Sequence, residues 1–193
     1  MNLVIIDYGA GNVQSVKYAL DRLGVSATLS NDPEVIKSAD KIIFPGVGAA
    51  GAAMNALRQH GLDTLIPTLK QPFLGICLGM QIMCRYSEEG KTKGLGIIDV
   101  DVKKFEGTEK VPHMGWNNVL NQKSKLFEHF DSKDQVYFVH SYYVPVNEYT
   151  IAECNYIKNF SAAIKKDNFY ACQFHPEKSS IAGEQLLKTF IEL

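Results

Sequence analysis

The sequence predicts an α/β fold in which a doubly wound, largely parallel central sheet is flanked by helices and extended by antiparallel or mixed strands. Two observations support this fold class. In the first half, short runs that are apolar on both faces alternate with helical patterns, which is typical of a parallel sheet covered by helices. After Gly94 the chain is rich in strand patterns with hairpin-like spacing, which indicates antiparallel or mixed pairing. The chain shows no linker and no internal repeat, so we expect one domain over residues 1–193.

The first half contains four predicted strand–helix units. Asn12 is expected to cap the first helix and Gly24 to end it, since these residue types are favoured at the two ends of a helix. Pro33 suits the first turn of the second helix. The predicted strands are LVII, ATLS, KIIF and PFLGI (residues 3–6, 27–30, 41–44 and 72–76), and the predicted helices cover residues 13–23, 32–39, the segment that ends near 60, and 78–86.

The second half is predicted to add strands to the same sheet. The strand-like runs are GIIDVDVKKF, NNVL, QVYFVHSYYVP, YTIAEC, FSAAIKK and FYACQF. A last helix over residues 179–193 would turn Leu186, Leu187 and Phe190 inward.

The composition excludes several classes of function. The net charge is −1 and the pI is about 6.5, so we expect neither nucleic acid nor an anionic membrane as a partner. No apolar run approaches the ~20 residues of a membrane span, and the N-terminus lacks the basic region of a secretory signal. The four cysteines, which are Cys77, Cys84, Cys154 and Cys172, form no CxxC pair and no metal-ligand spacing. We therefore expect a cytoplasmic protein with reduced thiols, no metal site and no cofactor.

One of these thiols lies in a pattern that predicts a nucleophile. Residues 75–79 read Gly-Ile-Cys-Leu-Gly, with a predicted strand before them and a predicted helix after them, which is the nucleophile-elbow pattern with sulfur in place of oxygen. The tight turn would expose Cys77 at the carboxyl edge of the sheet, and the flanking glycines would avoid Cβ clashes. The helix start favours an anion there and offers the Leu78 N–H to an oxyanion. A buried structural cysteine is the alternative, and it is the better interpretation for the other three.

A cysteine nucleophile needs a base and a group that orients the base. His175 and Glu177 lie two residues apart at the end of a predicted strand, which places them on one side of the chain. A carboxylate beside an imidazole fixes its tautomer and stabilises its charged form. A surface ion pair is the alternative for an isolated pair of this kind. His60 and His129 suit solvated surface, and His113 and His140 have no carboxylate close in sequence.

A second glycine turn, PGVGAAGAA over residues 45–53, also follows a predicted strand and precedes a helix. It lacks the Lys-Ser/Thr of a P-loop and the order of a dinucleotide motif, although phosphate binding is conceivable at such a turn. Two such turns at one sheet edge suit an acyl-transfer pocket. The backbone N–H near Val47 would then join that of Leu78 in holding a developing oxyanion.

In this order, PGVG, GICLGMQ and FHPEKS resemble the motifs of the class I, triad-type glutamine amidotransferases. DYGAGN, PHMGWN and VHSYY, together with the Lys178 that follows Glu177, resemble one branch of that family, the glutaminase subunits of imidazole glycerol phosphate synthase. The resemblance covers essentially the whole chain. GICLGMQ and FHPE alone indicate only the class, whereas PHMGWN and Lys178 are narrower. The resemblance also implies a flavodoxin-like arrangement of the sheet.

The resemblance implies that glutamine is hydrolysed to glutamate and ammonia. Cys77 would attack the side-chain amide carbon, and His175, held by Glu177, would deliver a proton to the departing ammonia before water hydrolyses the thioester. It places the oxyanion donors at Val47 and Leu78. It places the substrate pocket at Gly48, Gln81, Ser141 and Tyr142. Gln81 lies four residues after Cys77 and so returns to the same helical face, although a solvent-facing helix residue is the plain alternative.

The resemblance implies a heterodimer with a (β/α)₈-barrel cyclase. That partner uses the ammonia to make imidazole glycerol phosphate and aminoimidazole carboxamide ribotide in histidine biosynthesis. A closed channel is expected on physical grounds, because ammonia in neutral water is mostly the non-nucleophilic ammonium ion. The expected docking residues are Asn12, Trp116, Tyr137 and Lys178.

Other functions stay open at this level. The chain would also suit the glutaminase of another synthase, such as one for anthranilate or pyridoxal phosphate, although Met80 and Lys178 weigh against it. A non-catalytic interaction module is a second alternative. A cysteine peptidase is chemically conceivable, but a pocket built from two tight turns offers little room for a polypeptide.

Overall fold

The computed structural model describes residues 1–9, 12–131 and 133–193. In chain order its first elements are β1 (Leu3–Ile6), α1 (Val13–Arg22), β2 (Ala27–Ser30), α2 (Pro33–Lys37), β3 (Lys41–Phe44), α3 (Ala50–Gln59), α4 (Leu62–Leu65), β4 (Phe73–Ile76), α5 (Leu78–Met83), β5 (Cys84–Ser87), β6 (Thr92–Lys93) and β7 (Ile98–Lys104). The later elements are β8 (His113–Asn118), β9 (Gln135–His140), β10 (Tyr142–Tyr143), β11 (Thr150–Tyr156), β12 (Lys158–Lys166), β13 (Phe169–Cys172) and α6 (Ser180–Glu192). Short 3₁₀ turns lie at Ile66–Thr68, Glu89–Lys91, Lys125–Phe127 and Pro176–Lys178.

The largest sheet has seven strands in the order β11-β12-β13-β4-β3-β1-β2. β2, β1, β3, β4 and β13 run parallel to one another, whereas β12 and β11 pair antiparallel at the far side. Every residue of β1, β3 and β4 is buried, as expected for strands covered on both faces. The predicted doubly wound, largely parallel sheet with an antiparallel extension is confirmed.

Helices cover both faces of this sheet. α1 and α6 pack on one face, where Leu20 and Phe190 are fully buried, and α3, α4 and α5 pack on the other, with Leu57 and Leu62 fully buried. The predicted inward positions of α6 are confirmed. Chain order and helix placement together bring the carboxyl ends of β1, β3, β4 and β13 to one edge, where ligands bind in open α/β sheets.

Two predictions about the elements were wrong, one in each half of the chain. The helix expected over residues 78–86 ends at Met83, and the next four residues form β5. The carbonyls of Ile82 and Cys84 accept hydrogen bonds from Leu95 and Gly96, so the chain pairs with a distant loop instead of continuing the helix. The later strands also do not all extend one sheet, because β10, β7, β5 and β6 form a separate four-stranded sheet and β8 and β9 form a hairpin.

The structure also bears on membrane insertion. Within residues 1–9, 12–131 and 133–193, we find no helix with the length and apolar character that a bilayer crossing requires.

Candidate active site

Cys77 lies at the turn between β4 and α5 in a conformation that few side chains adopt. Its φ is 52° and its ψ is −105°, and a positive φ costs a non-glycine residue energy that the surrounding structure must supply. The Cys77 N–H donates to the Cys172 carbonyl at 2.8 Å, which ties the bend to β13. The sharp strand-to-helix turn expected from the sequence is therefore present.

The glycines on either side allow the strand and helix to pack closely. A Cβ on Gly79 would lie 2.2 Å from the Phe44 carbonyl oxygen, and one on Gly75 would lie 2.8 Å from the Met83 sulfur. Real Cβ atoms do not approach a backbone oxygen as closely as 2.2 Å, so position 79 requires glycine. At position 75 the flexible Met83 side chain would have to shift and the Gly79 backbone would lie 3.0 Å away, so glycine there relieves a tight contact. The predicted backbone clash is therefore confirmed for Gly79.

His175 and Glu177 form a buried pair beside this turn. His175 Nδ1 lies 2.8 Å from Glu177 Oε1, and both side chains are almost completely buried. A carboxylate can only accept, so Nδ1 carries a proton, and Nε2 is the ring nitrogen left for proton exchange with a reacting group. Nε2 is buried and has no hydrogen-bond partner among the described residues, so it is available to such a group.

Asn12 completes this pair in a way that the sequence did not predict. Its side chain does not cap α1. Instead Asn12 Nδ2 donates to Glu177 Oε1 at 2.5 Å, and the residue is buried. Asn12 therefore occupies the predicted N-cap position of α1, but the predicted side-chain cap is absent, because the amide satisfies a buried carboxylate instead.

The pKa values separate His175 from the other ionisable groups around it. Burial lowers the pKa of His175, but the charge of Cys77 and the hydrogen bond and charge of Glu177 outweigh burial and raise the pKa to about 10. Burial raises the pKa of the Cys84 and Cys154 thiols to about 12, and burial also raises that of Cys172. Cys84, Cys154 and Cys172 are therefore inert thiols. The environment of His175, in contrast, favours an imidazolium beside the sulfur of Cys77.

A cavity of about 370 Å³ opens in front of Cys77. The sequence-predicted residues that line it are Val47, Gly48, Cys77, Leu78, Gln81, Ser141, Tyr142 and His175. Gln81 Nε2 donates to the Tyr142 carbonyl at 2.9 Å, so the solvent-facing alternative for Gln81 is wrong. The structure thus brings the predicted pocket and triad residues together at one edge of the sheet, with Glu177 behind His175.

The predicted oxyanion donors are not both free. The Leu78 N–H donates to the Gly46 carbonyl at 3.3 Å. Because a trans peptide is planar, the Val47 N–H on the same peptide points the opposite way. Burial raises the pKa of the Tyr8 hydroxyl, which lies close to the Val47 backbone. The prediction that both amides face the oxyanion position is wrong for this conformation.

Some lining residues were missed by sequence reasoning. Glu89 lines the cavity and its Oε2 accepts from the Ala50 N–H at 2.8 Å. His140 also lines it and donates from Nδ1 to the Tyr142 carbonyl at 2.8 Å. Glu89 carried no motif. The signal for His140 was its place in VHSYY, but its partner there is a backbone carbonyl, which residue type cannot reveal.

The residues expected at a docking face lie beside the triad. Trp116 is 50% exposed and contacts Tyr137 edge to face across the β8–β9 hairpin, with ring centroids 6.0 Å apart. The Tyr137 carbonyl accepts from the His175 N–H at 2.9 Å, and Lys178 is exposed. Asn12 is buried against Glu177, so it offers almost no surface. We find no cluster of metal-binding side chains in the described part of the chain.

Comparisons with known proteins agree with this geometry. The family model for the class I glutamine amidotransferases matches residues 4–193. The chain is 59% identical to "Imidazole glycerol phosphate synthase subunit HisH" of Bacteroides fragilis (strain YCH46). It is 58% identical to the protein of that name from Bacteroides thetaiotaomicron and 51% to that from Escherichia coli (strain K12). Each alignment covers 100% of both chains.

Solved structures share the fold at lower identity. A putative subunit of a GMP synthase from Thermoplasma acidophilum superposes with a TM-score of 0.77 at 20% identity, over 100% of this chain and 92% of that one. A glutamine amidotransferase superposes with a TM-score of 0.77 at 18% identity, over 98% and 97% of the two chains. At these identities the likeness shows the fold alone.

Proposed function

The chain belongs to the class I glutamine amidotransferase family, and from this premise we propose that it is the glutaminase subunit of imidazole glycerol phosphate synthase, acting in histidine biosynthesis as one glutamine amidotransferase domain. The convergence of Cys77 with the buried His175–Glu177 pair at one cavity carries the proposal. Relatives that are 51% to 59% identical over their full length and bear this name support it. Arrangements of this kind perform nucleophilic acyl transfer.

The reaction uses each group at a stated atom. The Cys77 thiolate attacks the amide carbon of glutamine, and the proton on His175 Nε2 passes to the nitrogen that leaves as ammonia. Water then attacks the thioester, His175 Nε2 takes a proton from it, and glutamate departs. Glu177 and Asn12 keep Nδ1 protonated and the ring in place through the 2.8 Å and 2.5 Å contacts.

The pocket residues support glutamine as the substrate. A cavity of about 370 Å³ suits a single amino acid and not a folded polypeptide segment. Glu89 places a carboxylate on the cavity wall, where it is suited to the α-ammonium group of an amino acid. Gly48, Ser141 and Tyr142 also line the cavity. A peptidase is disfavoured by the same dimensions.

The partner is proposed to be a (β/α)₈-barrel cyclase that receives the ammonia in a heterodimer. The word "subunit" in the names of the relatives supports a complex. Exposed Trp116 and Lys178 next to the triad support a docking face on this side, with Tyr137 beneath Trp116. A cytoplasmic location suits an enzyme with four free cysteines.

The occupied Leu78 amide supports low activity without the partner. One turn of the Gly46–Val47 peptide would free the Leu78 N–H and bring the Val47 N–H round to the same site. Gly48, with φ at +98°, gives the loop the conformational freedom for that turn. Removing one oxyanion donor typically slows a reaction by about 100- to 1,000-fold, so the chain without its barrel partner is expected to be slower by at least that factor.

The test is to purify the chain with and without its barrel partner and to measure glutamate formation. Cys77→Ala is expected to lower the rate in the complex by at least about 1,000-fold, whereas Cys154→Ala, which changes a buried thiol of β11, should keep it. Activity that survives Cys77→Ala would refute the thiol mechanism. The assignment would be refuted if the large synthase subunit for anthranilate or pyridoxal phosphate stimulated the chain as strongly as the cyclase does. Failure of a glutamine analogue to trap a thioester would point to a non-catalytic module.

A further inference from the structure

Gln173 is a buried polar residue that the mechanism above does not use. It follows β13 directly, two residues before His175, and its side chain is fully buried. Its Nε2 lies 3.5 Å from Cys77 Sγ, and its Oε1 lies 3.0 Å from Gln81 Nε2. A buried amide is expected to use its hydrogen-bonding atoms, and here one of its partners is the sulfur that reacts.

The direction of this contact is fixed by a backbone carbonyl. A carbonyl oxygen can only accept, so the Gln81 atom 2.9 Å from the Tyr142 oxygen must be the amide nitrogen. That nitrogen also faces Gln173, whose nearer atom must then be its oxygen. The other end of the Gln173 amide is therefore the N–H donor, and this donor points at Cys77 Sγ.

The same carbonyl anchors a second chain of hydrogen bonds with one consistent direction. Burial lowers the pKa of His140 to about 3 and that of His113 to about 4, so both rings are neutral at pH 7. His140 Nδ1–H donates to Tyr142, so its Nε2 must accept from His113 Nδ1, 3.0 Å away. His113 Nε2 then accepts from Asn117 at 3.4 Å, and Asn117 also donates to the Asn155 carbonyl at 3.0 Å.

We propose that Gln173 is a catalytic residue, whose side-chain N–H stabilises the Cys77 thiolate, and that Gln81 is the positioning residue that aims it. The inference rests on the proposed function and adds a group to its chemistry. The thiol proton still passes to His175 Nε2. Gln173 keeps both of its hydrogens and breaks no bond. Its donor acts when the sulfur is charged, before attack and again when the thioester is hydrolysed.

This assignment differs from a structural role in what it predicts. A neutral thiol is a weak acceptor, so the 3.5 Å contact gains strength when the sulfur becomes an anion. A hydrogen bond to a charged group contributes an amount equivalent to roughly 10- to 100-fold in rate, which is more than a neutral one contributes. Loss of the donor should therefore lower the reactivity of Cys77 while leaving glutamine binding nearly unchanged.

The experiment compares two variants in the complex with the barrel partner. Gln173→Met keeps the length of the side chain and removes its amide, whereas Gln173→Glu keeps an acceptor for Gln81 and removes the donor. Asn168→Leu is the matched control, because Asn168 is a partly buried amide just before β13 whose side chain donates to the Leu69 and Gln71 carbonyls, away from Cys77. Each protein is assayed for kcat and KM for glutamine, for the rate of Cys77 alkylation by iodoacetamide without substrate, and for its melting temperature.

Both Gln173 variants are expected to lose about 10- to 100-fold in kcat and in alkylation rate, with KM within about threefold of the original. The Asn168 variant should alkylate at the original rate. The proposal is overturned if both variants fold and their Cys77 is alkylated within about threefold of the original rate. If the methionine variant does not fold, the result for Gln173→Glu decides alone. Slow alkylation of the variants together with no glutamate formation by the unaltered complex would leave the role of Gln173 intact and refute the proposed function instead.

Discussion

A single oxygen, Glu177 Oε1, receives both of the donors that hold the base. His175 Nδ1 and Asn12 Nδ2 lie 2.8 Å and 2.5 Å from it. Burial lowers the pKa of His175, but the charge of Cys77 and the hydrogen bond and charge of Glu177 outweigh burial and raise it. Asn12, just before α1, holds the Glu177 carboxylate beside the ring, so the base depends on a residue from the other end of the chain.

This raised pKa makes folding stability depend on pH in a defined direction. The pKa of His175 is raised from its ordinary value of 6.5 to about 10, so the folded state binds this proton more tightly than the unfolded chain. The contribution to stability is full below about 6.5 and is lost as the pH rises through about 10. We expect the difference in unfolding free energy between the unaltered chain and His175→Gln, measured by urea unfolding at about pH 6, 8 and 10, to shrink as the pH rises.

Cys77→Ala provides the control for this prediction. The sulfur of Cys77 contributes to the raised pKa of His175, so the pH-dependent part of the difference should be smaller when His175→Gln is made in the Cys77→Ala background. A difference that grows between about pH 6 and 10 would contradict the proposed ion pairing.

At the scale of elements, the site depends on how closely α5 approaches β3. The first turn of α5 lies against the end of β3, with the Gly79 Cα facing the Phe44 carbonyl. This approach sets the position of the helix start that follows Cys77. A shift of α5 would move the sulfur and the Leu78 amide together.

Gly79→Ala is therefore expected to destabilise the fold. The new Cβ would lie 2.2 Å from the Phe44 oxygen, and overpacking of a close contact typically costs about 1–3 kcal/mol. Gly51→Ala is the control, because its Cβ would meet only Thr92 Oγ1 at an ordinary 3.4 Å, and alanine within α3 should be neutral or stabilising by up to about 1 kcal/mol. Chemical unfolding of both variants checks this. Equal stability of the two variants would show that α5 can shift to accommodate the new Cβ without loss of stability.

The sequence predicted those elements whose signal is local. β1, β3 and β4 are short apolar runs before glycine turns, and their burial follows from that pattern alone. The strand Cys84–Ser87 was missed because its partners are β7 and β6, and a helical pattern in four residues cannot report non-local pairing. Asn12 and Gln173 were misjudged or missed for a related reason, since the first contacts Glu177 and the second contacts Cys77, 165 and 96 residues away.

At the scale of the whole molecule, the cavity and the exposed aromatic residue belong to neighbouring parts of one surface. Tyr137 links them, because it contacts Trp116 through its ring, while its carbonyl accepts from His175 and its N–H donates to Ser179. A partner that covers Trp116 would therefore lie against the backbone that holds the base.

Trp116→Ala is accordingly expected to weaken binding of the barrel partner. Large, half-exposed aromatic side chains that become buried at an interface are frequent hot spots, with losses of about 10- to 1,000-fold in Kd on truncation. Leu193→Ala is the control, because Leu193 is similarly exposed, at 41% against 50% for Trp116. Leu193 follows the far end of α6, about 20 Å along the helix from the end next to Lys178. Binding is measured by titration calorimetry, and glutaminase activity is measured separately with the partner at a saturating concentration. Trp116 does not line the cavity, so saturation should restore most of the activity. A docking face on the triad side predicts weaker binding for Trp116→Ala and unchanged binding for Leu193→Ala. An unchanged Kd for Trp116→Ala would therefore place the docking face elsewhere. An equally large loss of affinity for Leu193→Ala would do the same, because the contact would then not be confined to the triad side.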